Sequence, residues 1–175
     1  MDEEKKDVTE LQLVVFKIGN EEYGVEISEV QEINRMIEIT KIPRAPEFVE
    51  GVINLRGKVI PVIDLRKRFG MEKKDYDKNS RIIVVEIDEK LVGMIVDAVT
   101  EVLRITSDSI EPPPPIIAGI GSEYLKGVGK LDDRMLILLD LSKVFTDTEK
   151  EHLLELQERK DLLAEEEKQE AETTA

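Results

Sequence analysis

Residues 50–69 read EGVINLRGKVIPVIDLRKRF, and a weaker copy of this stretch returns from Lys126 to Phe145. When Gly51 is aligned with Gly127, residues 51–69 and 127–145 are identical at seven of nineteen positions. The identical pairs are Gly51/Gly127, Val52/Val128, Leu55/Leu131, Asp64/Asp140, Leu65/Leu141, Lys67/Lys143 and Phe69/Phe145. Most other pairs keep their chemical character. The chain therefore contains an internal repeat, and this repeat sets its architecture.

Each copy predicts two strands, a tight turn and a short helix. In the first copy, apolar strands are expected at 51–55 and 58–63, around the turn Arg56-Gly57, where glycine allows the positive φ of a hairpin turn. Asp64 follows at the N-cap position of a short helix, 65–69, and Asp140 holds the same position in the second copy. A repeated helix cap accounts for both carboxylates without catalysis.

The repeat extends upstream at an offset of 69 residues, which a seven-residue insertion later raises to 76. The upstream half is predicted to contain a hairpin of 11–18 and 23–27, a helical turn at 29–33 and a strand at 36–42. Ser28 and Gln31 have the spacing of a capping box for that helical turn. Each half is therefore predicted to hold five short strands with one-turn helices, the content of a small closed β-barrel.

The predicted fold is mostly β, with two tandem five-stranded barrels at about 11–70 and 80–146. A barrel of about 60 residues buries little apolar surface by itself, so the two are expected to share a core. Residues 1–10 are expected to be a flexible N-terminus, and 147–175 an acidic C-terminal helix and tail. Thr146 and Glu149 have capping-box spacing, which predicts a helix from there to about residue 164.

The charge of the chain excludes several classes of partner. The formal charge is −14, and residues 146–175 hold eleven Asp and Glu against four Lys and Arg. An acidic chain without tryptophan lacks the basic surface and stacking platforms of nucleic-acid binders, and the basic segments that bind anionic membranes. It also has no cysteine and no apolar run near the roughly 18 residues that span a bilayer. A cytoplasmic protein without membrane insertion is expected.

Groups suited to catalysis are scarce in this sequence. The only histidine, His152, lies in the acidic tail among neighbours typical of a solvated helix. No spacing of His, Cys, Asp or Glu resembles a metal site, and no glycine-rich loop resembles a phosphate cradle, so no cofactor is predicted. Arg56 stands apart because its counterpart is Asp132. It is either a solvated turn residue or an arginine that an acidic neighbour, Glu32 or Glu38, orients in a contact surface.

The order of motifs resembles the CheW family of bacterial chemotaxis coupling proteins. The resemblance covers about 11–146, and its motifs are EEYGVEI at 21–27, VQEI at 30–33, GVINLRG at 51–57, PVIDL at 61–65, VGMIVD at 92–97 and DRMLIL at 133–138. It implies two SH3-like five-stranded barrels and a non-catalytic adaptor. Such an adaptor would link the cytoplasmic tips of methyl-accepting chemoreceptors to the regulatory domain of the histidine kinase CheA, in arrays at the membrane.

The resemblance also implies two sets of contact residues. Glu32 and Arg56 would form the family's functional salt bridge. An inter-barrel groove for the receptor tip would be lined by Val30, Ile33, Arg81, Ile82 and Val99. The kinase would meet a face of the first barrel around Ile39, Ile42, Val59 and Pro61, positions that are also plausible core.

Two alternatives stay open at this point. The same fold could serve as a scaffold in another receptor–kinase pathway, for example as a CheV-type coupling protein without its receiver domain. An enzyme with its site in the inter-barrel groove would need titratable groups there, and the groove positions are mostly apolar.

Overall fold

The structure is a computed structural model, and it describes residues 9–43, 45–112 and 125–155. Within these residues the chain forms strands β1 (Glu10–Ile18), β2 (Glu21–Glu26), β3 (Val30–Arg35), β4 (Val49–Leu55), β5 (Lys58–Asp64), β6 (Arg81–Ile87), β7 (Lys90–Val96), β8 (Ala98–Thr106), β9 (Ile110–Glu111), β10 (Leu125–Leu131) and β11 (Arg134–Leu139). Helix α1 spans Leu65–Arg68, and helix α2 is described over 147–155. Short 3-10 turns lie at Ile27–Glu29, Ser107–Ser109 and Leu141–Lys143. The mostly β fold in two units is confirmed.

The strands form two sheets that do not follow the two halves of the chain. Sheet 1 has the order β3-β6-β7-β5-β4, and sheet 2 has the order β8-β1-β2-β11-β10-β9. The predicted assignment of 11–70 to one barrel and 80–146 to the other is therefore wrong, because the halves exchange their first hairpins. The hairpin β1–β2 joins sheet 2, and the hairpin β6–β7 joins sheet 1.

The exchange preserves the symmetry of the repeat. Replacing each strand of sheet 1 by its repeat counterpart gives β8-β1-β2-β11-β10, which is sheet 2 without β9. Each exchanged hairpin is joined to its new sheet by a parallel pair, β5 with β7 in sheet 1 and β11 with β2 in sheet 2. The strand pattern alone could not reveal this, because a hairpin presents the same apolar residues to either sheet.

The core has three parts, and the largest lies between the sheets. That inter-sheet cluster takes residues from both halves, including Phe16, Ile63, Met94 and Phe145. Two smaller clusters fill the interiors of the sheets, one around Ile53, Ile82 and Ile95 in sheet 1, and one around Leu13, Leu136 and Leu138 in sheet 2. Strands alternate their side chains between faces, so both faces of these strands are apolar. This arrangement agrees with the expected shared core.

Two local predictions in the first half are wrong. The segment predicted as a helical turn at 29–33 is mostly strand β3, and the 3-10 turn before it has no side-chain cap. The predicted strand at 36–42 is reduced to one bridge, in which Thr40 exchanges two backbone hydrogen bonds with Val52, at 2.8 and 2.9 Å. Pairing with β6 and the inter-sheet core outweigh the weak local helix signal of the capping-box pair.

The glycine that opens both copies of the repeat, Gly51 and Gly127, is explained by a segment that pairs with the residue after it, Thr40 with Val52 and Glu111 with Val128. A Cβ on Gly51 would lie 2.4 Å from the carbonyl oxygen of Thr40, and a Cβ on Gly127 would lie 2.8 Å from that of Glu111. Glycine is therefore required where a second segment crosses the strand closely. The predicted caps are also confirmed, because Asp64 accepts from the N–H of Arg66 at 2.9 Å and Asp140 from that of Ser142 at 3.1 Å.

The beginning of the C-terminal helix is confirmed by its capping box. The N–H of Thr146 donates to Glu149 Oε1 at 2.9 Å, and the N–H of Glu149 donates to Thr146 Oγ1 at 3.1 Å. Helix α2 is tied to the body by Leu153, which is buried, and by a bidentate pair between Arg68 and Glu149 at 2.5 and 2.6 Å. The predicted extension to residue 164 and most of the flexible N-terminus lie outside the described residues. No helix of the described part is long and apolar enough to cross a membrane.

Candidate functional site

The β4–β5 turn positions the one residue that the repeat left unexplained. Arg56 and Gly57 both have positive φ, 52° and 86°, as a type I′ hairpin turn requires at its two central positions. The N–H of Gly57 donates to Asn54 Oδ1 at 2.9 Å, which fixes the turn. The turn therefore presents the Arg56 side chain at the end of sheet 1, where 75% of it is exposed.

Arg56 pairs with Glu32 across sheet 1. Arg56 Nη2 donates to Glu32 Oε1 at 2.6 Å. Glu32 follows an irregularity in the pairing of β3 with β6, and bulges of this kind re-aim side chains. The pair joins the turn to the strand at the opposite edge of the sheet. Such an exposed pair contributes only about 0–1 kcal/mol to folding, so its effect is to orient both side chains.

The second sheet forms the same link with a different cation. Glu101, the repeat counterpart of Glu32, accepts from Arg134 Nη2 at 3.1 Å, and Arg134 also pairs with Glu22 at 2.6 Å. The cation of sheet 2 thus comes from the first residue of β11, whereas the turn position itself is Asp132. The acidic partner is therefore common to both sheets. Sheet 1 differs in that its cation, Arg56, lies on the hairpin turn itself.

Apolar side chains flank the inter-sheet core on both edge strands. Val30 on β3 and Val99 on β8 are half-buried and pack against the inter-sheet cluster. Ile33 is 40% exposed and lies opposite the buried Ile83, a residue of the inter-sheet cluster. Ile33 therefore faces the same side of sheet 1 as that cluster, at its margin. The edge of β3 thus offers apolar surface close to the Glu32–Arg56 pair.

Two of the predicted groove residues have other roles in the structure. Ile82 has no exposed surface and belongs to the interior cluster of sheet 1, which does not fit a direct contact with a partner. The alternation of β6 places it on the opposite face from Ile83. Arg81 is half-buried and donates from Nη1 to the carbonyl oxygens of Lys78 and Ser80, both at 2.8 Å. It stabilises the loop before β6.

The four residues predicted for the kinase face do not form one exposed surface. Val59 and Pro61 are buried in β5. Ile39 is half-buried against the interior of sheet 1, while Ile42 is half-buried against the inter-sheet core. Only the outer parts of Ile39 and Ile42 are open to a partner. Core packing explains why Val59 and Pro61 are apolar, without any contact to a partner protein.

Several exposed apolar residues were not singled out from the sequence, and Val102 is the one that the repeat relates to a predicted contact residue. Val102 on β8 is 52% exposed and lies opposite the buried Val14. It is the repeat counterpart of Ile33, at the offset of 69, so the repeat already contained the signal for it. Among the described residues, no group of three or more His, Cys, Asp or Glu side chains is arranged to hold a metal ion.

Comparisons with known proteins agree on one family. The family model described as "CheW-like domain" matches residues 12–149 of this chain. The chain is 42% identical over 138 residues to the chemotaxis protein CheW of Klebsiella aerogenes, covering 79% of this chain and 83% of that one. It is 39% identical over 140 residues to the probable chemotaxis protein CheW of Rhizobium etli, covering 80% and 90%. The crystal structure of the scaffolding protein TtCheW of Thermoanaerobacter tengcongensis is similar with a TM-score of 0.73 and 50% identity, covering 79% of this chain and 89% of that one.

Proposed function

This chain belongs to the CheW family, and from that premise we propose that it is a non-catalytic chemotaxis adaptor that couples receptors to the kinase CheA. The observation that carries the proposal is the family match over nearly the whole folded body, with a 50% identical scaffolding protein of the same fold. The adaptor would act in the cytoplasm, in arrays that its partners attach to the membrane.

The receptor would bind at the margin of the inter-sheet core. An amphipathic helix binds by placing its apolar face against such a surface. Here Val30, Ile33 and Val99 supply the apolar part, and the Glu32–Arg56 pair supplies a charged group beside it. Arg81 would support this surface through the loop before β6. We leave Ile82 out of the contact set because it is fully buried.

The kinase would bind at the segment between β3 and β4, where Ile39 and Ile42 are half-buried and their outer parts are open to a partner. Val59 and Pro61 are buried in β5 and would not contact the kinase directly. Binding of both partners at once would shift the kinase between active and inactive populations, because each partner favours one arrangement of the complex. No small molecule is needed for this coupling.

The second candidate is a scaffold of the same fold in another receptor–kinase pathway. Fold and family do not distinguish the two, since both would use the same surfaces. An enzyme is not favoured, because the relatives are named as chemotaxis and scaffolding proteins and the residues at the margin of the inter-sheet core are mostly apolar.

Reconstitution tests the proposal directly. A receptor signalling fragment, CheA and this chain are combined, and kinase autophosphorylation is measured with each component left out in turn. The proposal requires that receptor-dependent activity appears only when this chain is present. An unrelated acidic protein of similar size serves as the control. Kinase activity that is equally receptor-dependent without this chain would contradict the proposal.

A further inference from the structure

A second charged cluster lies at the place where the chain crosses from sheet 1 to sheet 2. Asp97 stands between β7 and β8, and Arg66 lies in α1, after β5. Arg66 Nε donates to Asp97 Oδ1 at 2.9 Å, and Arg66 Nη2 donates to Asp97 Oδ2 at 2.7 Å. Both side chains are only 16% exposed, so water screens this pair much less than the Arg56–Glu32 pair.

The same carboxylate also binds the other sheet. The N–H of Gly19, in the β1–β2 turn of sheet 2, donates to Asp97 Oδ2 at 2.7 Å, and the N–H of Asp97 donates to the carbonyl oxygen of Lys17 at 3.0 Å. Arg66 Nη1 in turn donates to the carbonyl oxygen of Glu72 at 3.1 Å. Burial disfavours a charge on Asp97, but its hydrogen bonds from Arg66 and Gly19 lower the pKa of the carboxyl below its usual value. The group is a negative charge shared by both sheets.

The other crossing cannot form this cluster. The repeat counterparts of Asp97 and Arg66 are Ser28 and Ser142, which carry no charge. The counterpart of Gly19 is Asp88, which pairs instead with Lys150 of helix α2 at 2.8 Å. The crossing from β2 to β3 contains the exposed residues Ile27 and Ser28. The two crossings are thus unequal, and only the β7–β8 crossing has a bidentate ion pair at its centre.

We propose that Arg66 and Asp97 are positioning residues that fix the relative orientation of the two sheets, and through it the receptor surface. Asp97 lies two residues before Val99, whose side chain packs at the margin of the inter-sheet core. A change in sheet orientation at this crossing would move Val99 on β8 relative to Ile33 on β3. The part that concerns receptor binding rests on the proposed function, whereas the part that concerns sheet orientation does not.

The first test measures sheet orientation without any partner. Because the chain has no cysteine, spin labels are placed on Gln12→Cys in β1 of sheet 2 and Glu86→Cys in β6 of sheet 1, both exposed positions. Pulsed electron resonance then gives the distance distribution between the sheets. We expect one narrow distribution for the parent chain, and a broader or shifted one for Asp97→Asn. Arg66→Lys, which keeps the charge but loses the bidentate geometry, should lie between them.

The control variant removes an exposed ion pair within sheet 2. Glu111→Gln breaks the pair with Lys130, in which the lysine side chain is 61% exposed and the glutamate side chain 56%. This variant should leave the distance distribution unchanged. A distribution that stays at the parent width and mean in both Asp97→Asn and Arg66→Lys would overturn the inference. If Asp97→Asn does not give a cooperative melt, Arg66→Lys alone decides.

The second test measures affinity for a receptor signalling fragment by calorimetry. Asp97→Asn should bind about fivefold or more weakly, a typical allosteric coupling, although no groove side chain has changed. Glu111→Gln should bind as the parent does. If the parent chain does not bind the fragment, the proposed function fails while the distance result still stands. If the distances change and the affinity does not, the positioning of the receptor surface is overturned and the proposed function is unaffected.

Discussion

Arg56 Nη2 lies 2.6 Å from Glu32 Oε1, and this contact joins the β4–β5 turn to the edge strand β3. The pair is exposed on its arginine side, and Glu32 is the sequence neighbour of the exposed Ile33 on β3. It therefore contributes orientation and charge to a surface rather than stability to the fold. The effect of this pair on partner binding can therefore be measured separately from its effect on stability.

Reversing one charge of this pair should weaken receptor coupling. Arg56→Glu places two carboxylates together and removes the cation, so we expect receptor-dependent kinase activation to fall, with a change in unfolding free energy within about 1 kcal/mol. The double variant Arg56→Glu with Glu32→Arg should recover part of the activation. Activation at the parent level in Arg56→Glu would refute this role.

Ile33 and Ile82 should respond in opposite ways to shortening. Ile82→Ala removes a side chain with no exposed surface and should cost about 2–5 kcal/mol of stability. Ile33→Ala, at a position 40% exposed, should cost less than about 1 kcal/mol and instead weaken binding of the receptor fragment. Urea melts and calorimetry measure the two effects. Equal destabilisation by both substitutions would contradict the assigned faces of β3 and β6.

Helix α2 should stabilise the body, whereas the residues beyond it should not. Removing 147–175 takes away buried Leu153, worth about 1.5–3 kcal/mol, as well as the Arg68–Glu149 pair. Removing only 156–175 retains both. We expect cooperative melts in each case, with a lower midpoint for the first truncation alone. Identical midpoints for the two truncated chains would show that α2 does not contribute to the core.

The Arg68–Glu149 pair should make stability depend on acid pH. Burial disfavours the charge of Glu149, yet the hydrogen bonds from Arg68 and Thr146 lower its pKa below the ordinary 4.5. A lowered pKa in the folded state means that the stabilisation is complete above pH 4.5 and is lost as pH falls through the lowered value. Glu149→Gln should therefore cost about 1–3 kcal/mol at pH 7, and the cost should be smaller at pH 3, below the ordinary pKa. Urea melts at both values check this, and a cost independent of pH would disagree.

Gly51 should not tolerate alanine. The added Cβ would lie 2.4 Å from the carbonyl oxygen of Thr40, so the bridge to Val52 would have to move, at a cost of about 1–3 kcal/mol or more. Gly129→Ala is the matched control, because its Cβ would meet its nearest atom at 3.6 Å, an ordinary contact. Thermal melts of both variants give the comparison. A stable Gly51→Ala chain would mean that the crossing segment yields easily.

Much of the local structure followed from the sequence alone. The stretch at 50–69 and its copy determined the hairpins β4–β5 and β10–β11 and the Asp64 and Asp140 caps. The partner of Arg56, which lies 24 positions away, was left as one of two acidic alternatives. The capping box of Thr146 and Glu149 fixed the start of α2. Hydrogen bonds within a few residues, positive φ and apolar alternation are local properties, so they can be read from neighbouring residues.

The tertiary structure decided which sheet each hairpin joins and which apolar residues remain exposed. The exchange of β1–β2 with β6–β7 depends on parallel pairing between distant strands, and the apolar pattern of either hairpin fits both sheets. Ile82 and Ile33 look alike in sequence, yet one fills the interior of sheet 1 and the other lies at an open margin. The ion pair of Arg66 with Asp97 joins residues 31 positions apart, at the point where the chain crosses from β7 to β8, so neighbouring residues do not predict it.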